Sequence, residues 1–153
     1  MEVYRLAVTA FADLGGKGGL YASGRWHHRG QPIVYTASSR ALSVLERLVH
    51  ESPVTMPELT LMVIHLPDDI SLTHYSPAQL PDGWDLLPDA DMSKDIGTEW
   101  LVGHETALLR VPSAIVDSEF NILINPFHPD AARIKVIETR EFRYDERLQR
   151  MIR

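Results

Sequence analysis

The stretch GLYASGRWHHRGQPIVYTASSRALSVLERLVHE, Gly19 to Glu51, crowds Arg25, Trp26, His27, His28, Arg29, Tyr35 and Glu46 into a span where a plain fold needs one strand and one helix. Its second half decides the fold. PIVYTA, Pro32 to Ala37, reads as a strand of β-formers, with the proline at its entrance where a missing N–H is tolerated. Ser38 and Ser39 can cap the helix that follows. In that helix Ala41, Leu42, Leu45, Leu48 and Val49 fall on one side at helical spacing. Ser43, Arg47 and His50 mark the opposite, wet side, and Glu46 lies beside Leu42 and Val49 at the boundary.

Working outward, EVYRLAV (Glu2 to Val8) alternates and predicts a first strand. Gly15, Gly16, Gly18 and Gly19 predict a flexible loop around Lys17. LTLMVIHL (Leu59 to Leu66) predicts a third strand. From Pro67 to Asp95 the chain reads as an irregular connection with one short helix, punctuated by Pro67, Pro77, Pro81 and Pro88. A helix is expected from Lys94 to His104, burying Ile96, Trp100 and Leu101. Short strands are expected at ALLRV, SAIV and FNILIN, then a turn from Pro126 to Pro129 and a last strand at IKVIETREF. YDERLQRMIR predicts a terminal helical turn. Strands outnumber helices without regular alternation, which points to an α+β fold, not a doubly wound sheet.

The chain has 153 residues, 44% of them hydrophobic and 24% charged, which suits one globular domain with its own core. It has no cysteine, so disulfide and thiolate chemistry are excluded. A net charge of −6 argues against a broad nucleic-acid surface, which needs a basic field. No run is long and apolar enough to span a bilayer, and the expectation is a cytoplasmic domain.

Arg25, after a glycine-containing loop, can fork onto a phosphate or pyrophosphate. It can equally be a surface arginine stacked on Trp26. A carboxylate held at a stripe boundary, as Glu46 is, can be partly desolvated and fixed in direction, as a catalytic acid must be; it can also be a solvated flanking charge. Tyr35 and Val34 point to opposite faces of their strand, and the tyrosine is either core or a stacking platform for a flat heterocycle. Ser113 in RVPSAIV has the setting of a turn serine bonding nearby backbone. The seven histidines show no HxxxH, HxH or HExxH spacing, so no metal site is expected. GGKGGL lacks the spacing of a phosphate loop, and no GxSxG turn occurs.

Taken in order, the motifs VYRLA, GRW, PIVY, LERLVH, the WL at Trp100, VPSAIV, NILINP-HP and a DERL-like tail resemble the RES-domain family of bacterial toxins, over nearly the whole chain, read as one domain from 1 to 153. The resemblance implies an ADP-ribosyltransferase-like α+β fold and cleavage or use of NAD⁺ without a metal. It also implies neutralisation by an Xre-type helix-turn-helix antitoxin, in a complex where the toxin can be a homo-oligomer. The family's arginine, glutamate and serine fall on Arg25, Glu46 and Ser113, with Tyr35 at the nicotinamide end. Arg5 matches a second early arginine facing the dinucleotide, and Asn121 lies in the NILINP segment. His27 stands where many members carry asparagine. Alternatives to NAD⁺ depletion are transfer of ADP-ribose to a protein and a catalytically inactive module that only binds the antitoxin.

Overall fold

A computed structural model describes residues 1–87 and 91–153. Its strands are β1 (Glu2–Val8), β2 (Val34–Ala37), β3 (Leu59–His65), β4 (Leu72–His74), β5 (Leu108–Pro112), β6 (Phe120–Ile124) and β7 (Lys135–Phe142). The α-helices are α1 (Arg40–Leu48), α2 (Asp91–Gly103) and the short α3 (Glu146–Gln149). The strands form one seven-stranded sheet in the order β4–β5–β6–β2–β1–β3–β7. All neighbours are antiparallel except β4 and β5, which run parallel. The fold is α+β.

Strand alternation sorts the core onto two faces. One face carries Val3, Val34, Met62, Ile64, Leu108, Ile122 and Ile124, closed by Leu66, Ala107 and Ile134. The other carries two separate apolar clusters. Leu6, Leu59, Leu61 and Tyr144 pack with Val44 and Leu48 of α1. Leu109, Val111 and Leu123 pack with Trp26, Ile33, Trp84 and with Trp100 and Leu101 of α2. Asn121, paired with Ala37 across β6 and β2, lies on this same second face.

Several sequence expectations change. The glycine-rich segment is not a loose loop: Lys17–Leu20 forms a 3-10 turn. Hydrogen bonds tie it to the chain ahead of β2, from Ile33 N–H to the Gly16 carbonyl and from Gly30 N–H to the Gly19 carbonyl. The irregular middle hides β4, too short to show a period and paired only on the outer edge of β5. SAIV is not a strand, because the Ser113 hydroxyl takes the N–H groups of Ile115 and Val116 and turns the chain. Pro88 lies outside the described residues.

The largest change concerns α1. Ser39 caps it as expected, accepting from Leu42 N–H at 3.0 Å, and Leu42 is buried. Yet Leu45 and Val49 are 37% and 58% exposed, whereas Ser43, assigned to the wet side, is buried. The inward side keeps Leu42, Val44 and Leu48 but turns to take in Ser43 and Arg47, whose groups find partners there, while His50 stays exposed. Ser43 Oγ donates to the Arg40 carbonyl. Arg47 Nε donates to Glu51 Oε1 at 2.6 Å, and Tyr144 donates to the same oxygen at 3.1 Å. Paired polar groups can be buried where unpaired ones cannot, so the stripe predicted from hydrophobicity alone is turned by the tertiary contacts.

Candidate active site

Glu46 leaves the inner side of α1 and meets two residues from the far strands. Ser113 Oγ and Asn121 Nδ2 each donate to Glu46 Oε1 at 2.7 Å. Ser113 is fully buried at the end of β5. Its hydroxyl proton goes to Glu46 while its oxygen accepts from Ile115 and Val116 N–H, both at 3.1 Å. One donor and two lone pairs are therefore all in use. The turn-serine reading holds, and the same hydroxyl also meets Glu46. In this arrangement the Ser113 hydroxyl holds the direction of the Glu46 carboxylate.

Asn121 is assigned its orientation by the carboxylate, since only the NH₂ end can face an acceptor-only oxygen. Its Oδ1 is then buried without a hydrogen-bond partner. Such an atom is costly to bury unless something meets it. Among the described residues both hydrogen bonds to Glu46 fall on Oε1.

Tyr35 is the same-face diagonal neighbour of Asn121: it pairs with Leu123, two positions along β6. Sheet geometry places such neighbours about 7–8 Å apart. Its hydroxyl is bracketed by the 24–27 loop. Trp26 N–H donates to it at 3.2 Å, and His27 Nδ1 lies 2.7 Å away. Gly24 is required here, because a Cβ at that position would run into the Tyr35 hydroxyl and the His27 ring.

The loop itself is held by α2. Ser93 Oγ donates to the Arg25 carbonyl, and Thr98 Oγ1 accepts from His28 N–H. His28 Nε2 sits 2.6 Å from Asp95 Oδ1. A side chain at Gly97 would collide with the Trp26 carbonyl, so glycine lets the helix lie directly on the loop. Arg25 Nη1 donates to the carbonyls of Trp84 at 2.9 Å and Leu86 at 3.3 Å, while Trp26 is buried with its ring 5.6 Å from that of Trp84.

Arg5 follows Tyr4, whose pairing with Ala37 is the register shared by β1 and β2. Its Nη1 donates to the Tyr35 carbonyl at 3.3 Å and its Nη2 to that of Phe11 at 3.5 Å, with Nε buried and unpartnered. Desolvation pushes its guanidinium down to about 10, with Asp13 opposing and Arg47 reinforcing that shift. It remains a cation at neutral pH, with Asp13 the carboxylate that acts on it.

The sequence-predicted residues thus form two groups. Glu46, Ser113 and Asn121 are bonded to one another, and Arg5 is bonded to Tyr35. The Arg25 guanidinium goes to the Trp84 and Leu86 carbonyls, and it is the adjoining Trp26 amide that meets Tyr35. Sequence reasoning passed over His27 as a group with a partner; its adjacency to Trp26 was visible, its burial was not.

A RES domain family model matches residues 2–145. The chain is 45% identical over 141 residues to a Prs ADP-ribosylating toxin of Sphingobium sp., covering 90% of this chain and 88% of that protein. It is 42% identical over 150 residues to a Toxin Res of Pseudomonas putida, covering 92% and 96%. Among solved structures, the M. tuberculosis MbcT–MbcA toxin–antitoxin complex includes a similar chain, with a TM-score of 0.78 over 99% of this chain and 87% of that one. At 15% identity that likeness concerns the fold alone.

Proposed function

This chain belongs to the RES domain family, and from that premise we propose that it is the toxin of a toxin–antitoxin pair that breaks the nicotinamide–ribose bond of NAD⁺. The observation that carries the reading is the Glu46 carboxylate, fixed on one oxygen by Ser113 and Asn121, with no hydrogen bond to the other oxygen among the described residues. When the glycosidic C–N bond breaks, its electron pair leaves with the ring nitrogen and nicotinamide departs neutral. The ribose is left as an oxocarbenium-like cation, as in glycoside cleavage. A carboxylate already held in place can bind a ribose hydroxyl and stabilise that charge without reorganising. Asn121 Oδ1 can accept a hydrogen bond from the substrate, and Tyr35 offers its ring to the nicotinamide. Arg5, a desolvated cation, suits the pyrophosphate on this reading, with Arg25 as the second cation assigned to it.

The cation is captured by water or inorganic phosphate, which depletes NAD⁺. A second reading is transfer to a protein side chain, favoured by the ADP-ribosylating activity in the name of the relative from Sphingobium. One experiment separates them: incubate the purified protein with labelled NAD⁺, with and without phosphate, and with a cell extract. Depletion predicts nicotinamide plus ADP-ribose or its phosphate in buffer alone. Transfer predicts a labelled protein band and little free product. If nicotinamide is released under none of these conditions, the reading fails and the inactive, antitoxin-binding alternative takes its place.

A toxin acting on a central cofactor must be silenced in its own cell. An Xre-type antitoxin covering the arginine-lined cleft is the partner this reading requires, and it would carry any DNA binding that an acidic chain cannot. Co-purification with the product of the adjacent reading frame checks this; free toxin tolerated at high expression contradicts it.

A further inference from the structure

We propose that His27 is a positioning residue for the reaction, a neutral hydrogen-bond acceptor that holds the Tyr35 hydroxyl and makes turnover fall in acid. The inference deepens the NAD⁺ reading above and rests on it for its kinetic half.

His27 is 3% exposed, and both ring nitrogens are engaged. Nε2 lies 2.8 Å from the Ala22 carbonyl oxygen, which can only accept, so Nε2 carries the proton. In the neutral ring Nδ1 is then bare, and at 2.7 Å it must receive the Tyr35 O–H. The tyrosine oxygen accepts from Trp26 N–H at 3.2 Å at the same time. The Ala22 carbonyl, imidazole, phenol and Trp26 amide therefore form one directed chain. It draws the phenol proton away from the ring and leaves that ring richer in electrons. A ring so polarised is the better partner for a cationic pyridinium, and for the cation that forms as nicotinamide leaves.

Protonation reverses this. An imidazolium would donate from Nδ1, evict the phenol proton from its acceptor, and place a positive charge beside the site of a cationic substrate. Burial holds His27 below the ordinary histidine range, with the Ala22 and Gly19 backbone opposing. The charged and titratable groups facing it are Lys94 from α2, which lowers it further, His28 from its own loop, which does the same, and Tyr35 from β2. The neutral form is thus the working form at pH 7, and the acid limb belongs below about 6.5.

Two measurements test this on the full chain. The first needs no turnover: long-range ¹H–¹⁵N spectra of the imidazoles, in the parent and in Tyr35→Phe, from pH 5 to 8. Expected are the Nε2–H tautomer for His27, titration below the ordinary value, and a shift of the Nδ1 resonance in Tyr35→Phe. An Nδ1–H tautomer, or no response to Tyr35→Phe, overturns the proposal. The second is the pH profile of nicotinamide release from NAD⁺ by the parent, His27→Ala and His27→Gln. His27→Ala should lose kcat/KM on the order of 10- to 100-fold, as a displaced reacting group does. His27→Gln, which keeps a donor and an acceptor but cannot titrate, should recover activity relative to alanine and lack the acid limb. The same acid limb in His27→Gln, or parental kcat/KM in His27→Ala, overturns it. Absence of nicotinamide release from the parent itself counts against the NAD⁺ reading, and the spectra then decide the His27–Tyr35 link alone.

Discussion

Ser113 Oγ gives its proton to Glu46 Oε1 at 2.7 Å while two backbone N–H groups of its own turn fill its lone pairs. Its one donor and two lone pairs are thus all taken, and on the proposed reading the serine aims the acid. Ser113→Ala leaves the Ile115 and Val116 amides without their acceptor and lets the carboxylate swing on Asn121 alone. Turnover of NAD⁺ should fall on the order of 100-fold, chiefly in kcat, with KM for NAD⁺ little changed. Steady-state nicotinamide release measures the split, and a rise in KM with kcat intact would return the serine to the substrate.

Asn121 makes the complementary case. Asn121→Asp places a second carboxylate against the first, and two like charges at hydrogen-bond distance cannot both ionise. The pair then shares a proton near neutrality, Glu46 loses its full charge, and activity should drop at pH 7 and recover partly as pH rises. A pH–rate profile indistinguishable from the parent's would show that Glu46 does not act as an anion.

Arg5 is a desolvated cation whose shift is downward, so its burial is tolerated and not favourable in itself. Arg5→Met removes that desolvation and keeps the volume. Thermal stability should stay near the parent's, while KM for NAD⁺ rises about tenfold or more, the worth of a charged hydrogen bond to phosphate. Parallel melting and kinetic curves check both halves.

Glu51 ties α1 to the chain end: its side chain is 2% exposed and holds Arg47 and Tyr144. Burial and the neighbouring Glu51 charge together hold the Tyr144 hydroxyl above the ordinary phenol range, so it stays a donor. Glu51→Ala strands both partners and should cost about 2–3 kcal/mol. Urea unfolding reads this directly, and a change under 0.5 kcal/mol, about the size of a neutral surface change, would contradict the pairing.

Much of this architecture was legible in the residues. The β1 and β3 patterns and the Ser39 cap led to the α+β fold; the order of motifs named Glu46, Ser113, Asn121, Tyr35, Arg5 and Arg25 as candidates, of which the first three are bonded together. What was hidden depends on contacts between distant segments. Leu45 and Val49 look like core and face outward, because Glu46, Arg47 and Glu51 on the other side find partners among strands and tail that no local period encodes. β4 was invisible because three residues carry no alternation. His27 looked like one of a scattered set until its loop, pressed under α2 at Gly97, brought Nδ1 onto Tyr35.

The most direct test compares nicotinamide release from NAD⁺ by the parent and by Glu46→Ala, with circular dichroism confirming that both are folded. The account predicts active parent protein and a variant slowed by about 10²–10³, the usual loss when a preorganised charge is removed from a transition state. A folded Glu46→Ala protein that consumes NAD⁺ at the parent's rate would contradict it.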